Sequence, residues 1–303
     1  MTDPDYQTLI DAETWPFIRA TEACYPPDAV GLSVDDQRRV YDRMCRAFHR
    51  GHPPGVAVQD GRRAGVPVRN YTFGPPAATL VYLHGGGFVV GGLDSHDDVC
   101  AEICAATGLH VISADYRLVP EHRHPAAYDD ALAVARAVEG PLLLAGDSAG
   151  GALAASVAHA LRGRVAGMVL IYPGLGGDRN RGSYLTHAAA PMLTRDDVLY
   201  YAALRHDGPE PADDVTAAAL AARDFTALPP TVIISAECDP LADDGRDYRD
   251  AILAAGGRAA WICEPGLVHG YLRARHSVAR ARDSFSRITG ALAGLAEGRW
   301  PVV

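Results

Sequence analysis

A Gly-x-Ser-x-Gly pattern, formed by residues 146–150, is the feature that most constrains what this chain can fold into. An apolar run with strand composition, residues 142–145, leads into it, and a stretch of small residues typical of a buried helix, 151–158, leads out of it. Between a strand and a helix, such a pattern makes a sharp turn that strains the serine backbone and lifts its hydroxyl clear of the sheet. Ser148 is therefore the candidate nucleophile, although the bare pattern also occurs by chance in Gly/Ser-rich loops.

Length and charge narrow the class of protein. At 303 residues, 48% of them apolar, the chain can build one large α/β domain with a lid. Its net charge of −9 is spread along the sequence, which argues against nucleic acid or an anionic membrane as a partner. All 28 basic residues are arginine, so Schiff-base chemistry, the Walker A lysine and the Ser-x-x-Lys dyad are excluded.

The sequence predicts a cytoplasmic location. Residues 1–6 lack the basic and apolar regions of a signal peptide. No run approaches the roughly 18 apolar residues that a membrane helix needs. The six cysteines show neither Cys-x-x-Cys pairs nor the density of a disulfide scaffold, so we expect reduced, mostly buried thiols.

Apolar periodicity predicts strands that alternate with helices along most of the chain. The predicted strands are residues 55–59, 66–73, 79–83, 109–114, 142–145, 165–172, 231–236 and 258–263, with a turn at Asp60-Gly61 between the first two. The predicted helices are residues 7–20, 34–49, 96–107, 126–139, 151–158, 194–205, a segment ending at 255, and 273–293. This alternation predicts an α/β fold, a mostly parallel central sheet with helices on both faces.

Two stretches do not fit the alternation. Residues 1–54 look helical and carry no catalytic motif, and residues 176–230 form a long insertion between two strands. Insertions of this length are usually lids or binding segments, because an idle loop would be shorter. We therefore expect an N-terminal cap segment at 1–54 and a catalytic domain at 55–303 that carries a cap insertion at 176–230.

Three consecutive glycines, Gly85 to Gly87, follow the buried strand at 79–83. Because glycines cost backbone entropy, their presence suggests that backbone N–H groups approach something closely bound. An oxyanion is the natural candidate, held by N–H groups of this loop and by that of Ala149, just after the nucleophile. The charged loop at 115–121 indicates no chemistry, and we expect it to tie its neighbours together.

Ser148, Asp239 and His269 each come just after a predicted strand. Functional loops cluster at the carboxyl ends of parallel strands, so the three side chains are expected at one edge of the sheet. His269 would take the Ser148 proton during attack and return it to the leaving group. Asp239 would hold the imidazole in the useful tautomer and stabilise its charged form.

These assignments have plainer alternatives. Asp239 precedes Pro240 at a helix start, where an aspartate can serve only as the N-cap. Asp243 is a second carboxylate nearby; we choose Asp239 because it lies nearer the strand end, whereas an acidic residue in the first turns of a helix favours the helix dipole. The chain has 12 histidines, among which His269 stands out by its position and its neighbour Gly270.

Five motifs together resemble the bacterial hormone-sensitive-lipase-like esterases, which include acetyl esterases. They are His84-Gly85-Gly86-Gly87, Tyr116-Arg117-Leu118-Val119-Pro120-Glu121, Gly146-Asp147-Ser148-Ala149-Gly150-Gly151, Asp239-Pro240-Leu241 and His269-Gly270-Tyr271. Val119 replaces a usual alanine and Tyr271 a usual phenylalanine, and the resemblance weakens over the cap.

The resemblance implies an α/β-hydrolase fold with a helical cap, no cofactor or metal, and hydrolysis of short-chain carboxylic esters. The order Ser, Asp, His along the chain is that of the α/β hydrolases. By the same resemblance, Gly86, Gly87 and Ala149 form the oxyanion hole.

The leading hypothesis is a serine carboxylesterase that cleaves a small-molecule ester through an acyl-enzyme. An amidase or lactam hydrolase with the same triad is the alternative among enzymes. A non-catalytic ligand receptor is disfavoured because His269 is present, whereas the plant gibberellin receptors, which resemble this family, have lost that histidine. No nucleic-acid partner and no membrane span are expected, and a homodimer is left open.

Overall fold

The structure is a computed structural model that describes residues 4–26, 31–206 and 208–300. The parts of the cap predictions that concern residues 1–3, 27–30 and 207 lie outside the described residues, as do residues 301–303.

One sheet runs through the described part of the chain. Its strands are β1 (Ala57–Arg63), β2 (Val66–Thr72), β3 (Thr79–Leu83), β4 (His110–Ala114), β5 (Leu142–Asp147), β6 (Val165–Ile171), β7 (Thr231–Cys238) and β8 (Ala259–Val268). They lie in the order β1-β2-β4-β3-β5-β6-β7-β8, and only the pairings of β2 with β1 and with β4 are antiparallel. The prediction of a mostly parallel sheet is confirmed.

Helices cover both faces of this sheet. The α-helices of the described residues, including those of the N-terminal segment and of the insertion, are α1 (Tyr6–Leu9), α2 (Thr14–Glu22), α3 (Val34–Phe48), α4 (Asp97–Thr107), α5 (Ala126–Arg136), α6 (Ala149–Ala160), α7 (Ser183–Thr186), α8 (Arg195–His206), α9 (Ala242–Ala254) and α10 (Ala279–Ala296). No helix in the described ranges is long and apolar enough to cross a membrane.

The central strand β5 shows how the core is divided. Leu142 and Leu144 pack with α5, α6 and α9 on one face, whereas Leu143 and Ala145 pack with α4 and α10 on the other. Side chains alternate between the faces of a strand, so a strand buried on both faces is a continuous apolar run. Each fully buried leucine contributes about 1.5–3 kcal/mol to stability.

The first hairpin turns at Ala64-Gly65 and not at the predicted Asp60-Gly61. Ala64 and Gly65 have φ of 50° and 86°, the pair of left-handed conformations that lets a two-residue turn match the twist of its strands. Asp60 and Gly61 instead lie within β1, where Arg69 of β2 donates to the Asp60 carboxylate at 2.6 Å.

Two helix predictions are also wrong at their boundaries. The predicted helix 7–20 is two helices, α1 and α2, and the Asp11 carboxylate between them accepts the Thr14 N–H at 2.9 Å, where the second helix begins. The closing helix begins at Ala279, later than predicted, since residues 271–274 form a separate, largely buried 3₁₀ helix.

Three parallel strands, β5, β7 and β8, end immediately before Ser148, Asp239 and His269. β8 runs past its predicted end at Cys263 to Val268, because its pairing with β7 continues beyond an irregularity. The carboxyl ends of these strands therefore bring the three side chains to the same edge of the sheet.

Candidate active site

The turn between β5 and α6 holds Ser148 in a strained conformation, with φ 54° and ψ −119°. Its N–H donates to the carbonyl of Ile171 at 2.9 Å, which fixes the turn against β6. A β-carbon on Gly150 would lie 1.9 Å from the Leu83 carbonyl oxygen, and one on Gly146 would lie 2.5 Å from the backbone of Gly150. The two glycines of the motif are thus required by this close backbone approach.

Ser148, His269 and Asp239 form a continuous hydrogen-bonded chain. The Oγ of Ser148 lies 2.9 Å from Nε2 of His269, and Nδ1 of His269 lies 2.7 Å from Oδ2 of Asp239. Asp239 is fully buried, and its Oδ1 accepts the Leu241 N–H at 2.9 Å. Because a carboxylate can only accept, Nδ1 carries the imidazole proton and Nε2 is left to accept the serine hydroxyl proton.

Asp243, the competing carboxylate, lies elsewhere. Its Oδ2 accepts the N–H of Ser183 at 3.0 Å, and its Oδ1 lies 2.8 Å from Nη1 of Arg246. The structure thus brings Asp239 to the histidine and joins Asp243 to the segment between β6 and β7.

The glycine loop after β3 packs tightly beside the serine. Gly86 and Gly87 have φ of 125° and 59°, conformations that favour glycine. A β-carbon on Gly86 would lie 2.1 Å from the Val90 carbonyl oxygen, and one on Gly87 would lie 2.7 Å from the Tyr201 ring. Gly86, Gly87 and Ala149 line the same cavity as Ser148.

Sequence reasoning missed the role of Asp147, which ties the glycine loop to the serine turn. This buried carboxylate accepts the Gly85 N–H at 3.0 Å and the Tyr82 hydroxyl at 2.9 Å, and it lies 3.2 Å from Nε2 of His96. Burial alone would raise the pKa of Asp147, but the charge and hydrogen bond of His96 outweigh it and hold that pKa below its usual range. The available signal was its place inside the motif, directly before Ser148.

The charged loop at 115–121 has the structural role that its sequence predicts. Arg117 pairs with Asp130 of α5 at 2.8 Å. Glu121 accepts two hydrogen bonds from Arg38 of α3, at 2.8 and 2.7 Å, and the hydrogen bond from Arg38 lowers the pKa of Glu121 to about 2. These pairs fasten the loop to a core helix and to the N-terminal segment.

A cavity of about 930 Å³ opens above Ser148 and His269. Residues of α2 and α3, including Tyr41, line it from the N-terminal side, and residues of α7 and α8, including Tyr201, line it from the insertion. Gln37 of α3 donates to the hydroxyl of Tyr200 in α8 at 3.0 Å. Residues of the N-terminal segment and of the insertion therefore contact each other at this cavity.

His49, His52 and Asp97 offer a group that could hold a metal ion. Oδ2 of Asp97 lies 3.1 Å from Nε2 of His49 and 2.6 Å from Nε2 of His52. However, Nδ1 of His49 accepts the Gly51 N–H at 3.1 Å, so in the neutral ring Nε2 carries the proton and donates to Asp97. This hydrogen bonding favours a structural link between the N-terminal segment and α4 over metal ligation.

Comparison with known proteins agrees with this geometry. A family model described as an alpha/beta hydrolase fold matches residues 80–273. Carboxylesterase NlhH of Mycobacterium tuberculosis is 36% identical over 250 residues, covering 75% of this chain and 77% of the relative. The acetyl esterase of Salmonella paratyphi A is 33% identical over 292 residues, covering 86% of each chain. The solved structure of an esterase from the bacterial hormone-sensitive lipase family has a TM-score of 0.85 at 26% identity, covering 94% of this chain and 99% of that one.

Proposed function

Because the chain belongs to the hormone-sensitive-lipase-like esterases of the α/β-hydrolase family and hydrolyses carboxylic esters, we propose that Ser148, His269 and Asp239 are its catalytic triad. We propose further that its substrates are short-chain acyl esters. The observation that carries the assignment is the hydrogen-bonded chain from the serine Oγ through both ring nitrogens to the buried carboxylate.

Each member of the triad has a defined task in this proposal. Nε2 of His269 takes the Ser148 proton as Oγ attacks the acyl carbon, and returns it to the leaving alcohol as the acyl-enzyme forms. Water then repeats the attack and releases the acid. Asp239 keeps the proton on Nδ1 and stabilises the imidazolium that forms twice in each turnover.

The oxyanion of each tetrahedral intermediate is bound, in this proposal, by the N–H groups of Gly86, Gly87 and Ala149. This assignment is supported by the position of all three residues, which line the cavity beside Ser148. Ala149 is also the first residue of α6, where N–H groups have no partner within the helix and the helix dipole favours negative charge. One such donor contributes about 10²–10³-fold to turnover in other acyl-transfer enzymes.

The wider organisation follows from the cavity. Residues 1–54 and the insertion 176–230 are proposed to form the cap, and the rest of 55–303 the catalytic domain. The small-molecule ester is the only partner this requires, and the net charge of −9 disfavours nucleic acid. We propose a cytoplasmic location. A homodimer is left open, and sedimentation of the purified protein distinguishes it from a monomer.

The test compares Ser148→Ala with Ser156→Ala, a change at a buried serine of α6, the helix that begins directly after Ser148. Ser148→Ala is expected to fold and to lose turnover of 4-nitrophenyl butyrate down to the residual that binding and oxyanion stabilisation provide. Ser156→Ala should keep turnover. Substantial hydrolysis by folded Ser148→Ala protein would overturn the assignment.

A matched butyryl ester and butyryl anilide separate the esterase from the amidase alternative. The wild-type protein is expected to release 4-nitrophenol from the ester in a burst, which reports the acyl-enzyme. Comparable cleavage of the anilide would favour the amidase.

A further inference from the structure

Arg273 lies in the substrate cavity, shortly after His269 in the chain. Its Nη2 donates to the hydroxyl of Tyr41 at 2.8 Å and to Sγ of Cys45 at 3.1 Å, both on α3. Among the described residues, its Nε is enclosed without a hydrogen-bond partner, and no carboxylate forms an ion pair with it. A guanidinium with unused donors therefore faces the space in which the ester binds.

Among the described residues, two other arginines, Arg179 and Arg205, line the same cavity, and their partners differ from those of Arg273. Arg179 forms an ion pair with Glu210. Arg205 donates to the carbonyl of Ala217 at 2.8 Å and stacks on the Phe88 ring with its guanidinium carbon 3.9 Å from the ring centre. Arg273 differs from Arg179 because no carboxylate of the described residues pairs with it. It differs from Arg205 because its enclosed Nε has no hydrogen-bond acceptor.

The neighbours of Arg273 are neutral. Burial raises the pKa of Tyr41 well above its usual value and also raises the pKa of Cys45, so neither is an anion at neutral pH. The charge of Arg273 helps to lower the pKa of Asp147, but the oxygens of Asp147 are occupied by other donors. An enclosed cation without an anionic partner is costly, and an anionic ligand would remove that cost.

We propose that Arg273 is the anion-binding residue of the substrate cavity and that the enzyme prefers esters carrying a free carboxylate, such as monoesters of dicarboxylic acids. This inference rests on the proposed function of the same cavity. Guanidinium donors match the two oxygens of a carboxylate. The Tyr41 hydroxyl, which accepts from Arg273, keeps its own proton available as an additional donor.

The test uses mono-(4-nitrophenyl) adipate and its methyl ester, which differ only in the free carboxylate. A second pair, 3-carboxyphenyl butyrate and phenyl butyrate, places the charge on the leaving alcohol instead. In the wild-type protein, kcat/KM is expected to favour the anionic member of one pair, which identifies the half of the substrate that meets Arg273. In Arg273→Met, the ratio of anionic to neutral kcat/KM should fall roughly 10- to 100-fold, the size of a hydrogen bond to a charged group. Arg273→Lys should restore part of it.

Arg62→Met is the matched control, because Arg62 lies in the exposed first hairpin and its side chain donates, among the residues that the structure describes, only to the Gly65 carbonyl. It removes the same charge from the protein and should leave the ratio unchanged. Equal losses for both members of each pair in Arg273→Met would show a merely structural residue and overturn the proposal. A wild-type preference for the neutral esters would also overturn the proposal. That preference is expected if the carboxylates that line the cavity make its electrostatic potential negative.

A measurement on the wild-type protein avoids any dependence on folding of the variants. Adipate is expected to inhibit hydrolysis of 4-nitrophenyl butyrate competitively, and adipamide of equal length should not. Inhibition no stronger for adipate than for adipamide would contradict the anion site. Failure of the wild-type protein to hydrolyse any of these esters would instead contradict the proposed function.

Discussion

Replacing Asp239 with asparagine perturbs the proposed triad at one atom. The Asp239 carboxylate accepts the Nδ1 proton of His269 at 2.7 Å and the Leu241 N–H at 2.9 Å, with no exposure to solvent. The amide oxygen of asparagine can keep the bond to Leu241, which leaves the NH₂ group facing His269. That donor favours the tautomer with the proton on Nε2, which cannot accept the Ser148 proton. The corresponding change in the serine-protease template lowers turnover by about 10⁴-fold, or about 5.4 kcal/mol of barrier, and we expect a similar loss.

Asp243→Asn is the same chemical change four residues later. Its carboxylate accepts the Ser183 N–H at 3.0 Å and pairs with Arg246 at 2.8 Å, and its side chain is 26% exposed. The amide oxygen can keep the bond to Ser183, so the loss is a partly exposed ion pair at a helix start. This costs about 0.3–1 kcal/mol of unfolding free energy and little turnover.

Steady-state turnover of one short-chain ester, with urea unfolding of each protein, compares the two variants. We expect Asp239→Asn to fold but to lose most of its turnover. We expect Asp243→Asn to keep nearly all of its turnover and to be slightly less stable. The opposite pattern would refute the reasoning and move the triad acid to Asp243.

Three further changes test the parts around the triad. Gly86→Ala would place a β-carbon 2.1 Å from a carbonyl oxygen, so we expect a loss of about 10²–10³-fold in turnover from a displaced oxyanion donor; unchanged turnover would reject that donor. Burial lowers the pKa values of His84 and His159 to about 4, so the stability that these neutral rings provide is complete above the unfolded pKa of about 6.5 and is lost as pH falls towards 4; urea unfolding at pH 5 should show at least about 2 kcal/mol less stability than at pH 7.5, and equal values would contradict this. Arg38→Met removes the pair with Glu121 and leaves two carbonyls unpaired, which should cost about 1–3 kcal/mol of unfolding free energy, whereas the exposed Arg39→Met should change little in the same measurement.

The common location of Ser148, Asp239 and His269 could be predicted because each residue follows a strand whose apolar run is visible in the sequence. The end of β5 and the motif around Ser148 are adjacent, so an error of a few residues in the strand could not move the nucleophile. His269 lies at the sheet edge where it was predicted, although β8 extends beyond its predicted end, because the loop after the strand was identified by its Gly270.

Other features depend on contacts between distant segments, and the spacing of apolar residues along the chain does not reveal such contacts. The hairpin turn at Ala64-Gly65 depends on backbone twist, and an alanine there gives no turn signal. Asp147 and Arg273 look like ordinary charged residues in the sequence. Their roles depend on tertiary contacts: the glycine loop donates a hydrogen bond to Asp147, and α3 supplies a hydrogen-bond acceptor for Arg273.

The most direct test of the account is covalent labelling with diethyl 4-nitrophenyl phosphate, read by intact mass and peptide mapping. An activated serine displaces 4-nitrophenol and retains one diethylphosphoryl group. We expect one group per wild-type chain, on the peptide that contains Ser148, and none on Ser148→Ala. Labelling of a different residue, or equal labelling of Ser148→Ala, would contradict the claim that Ser148 is the nucleophile.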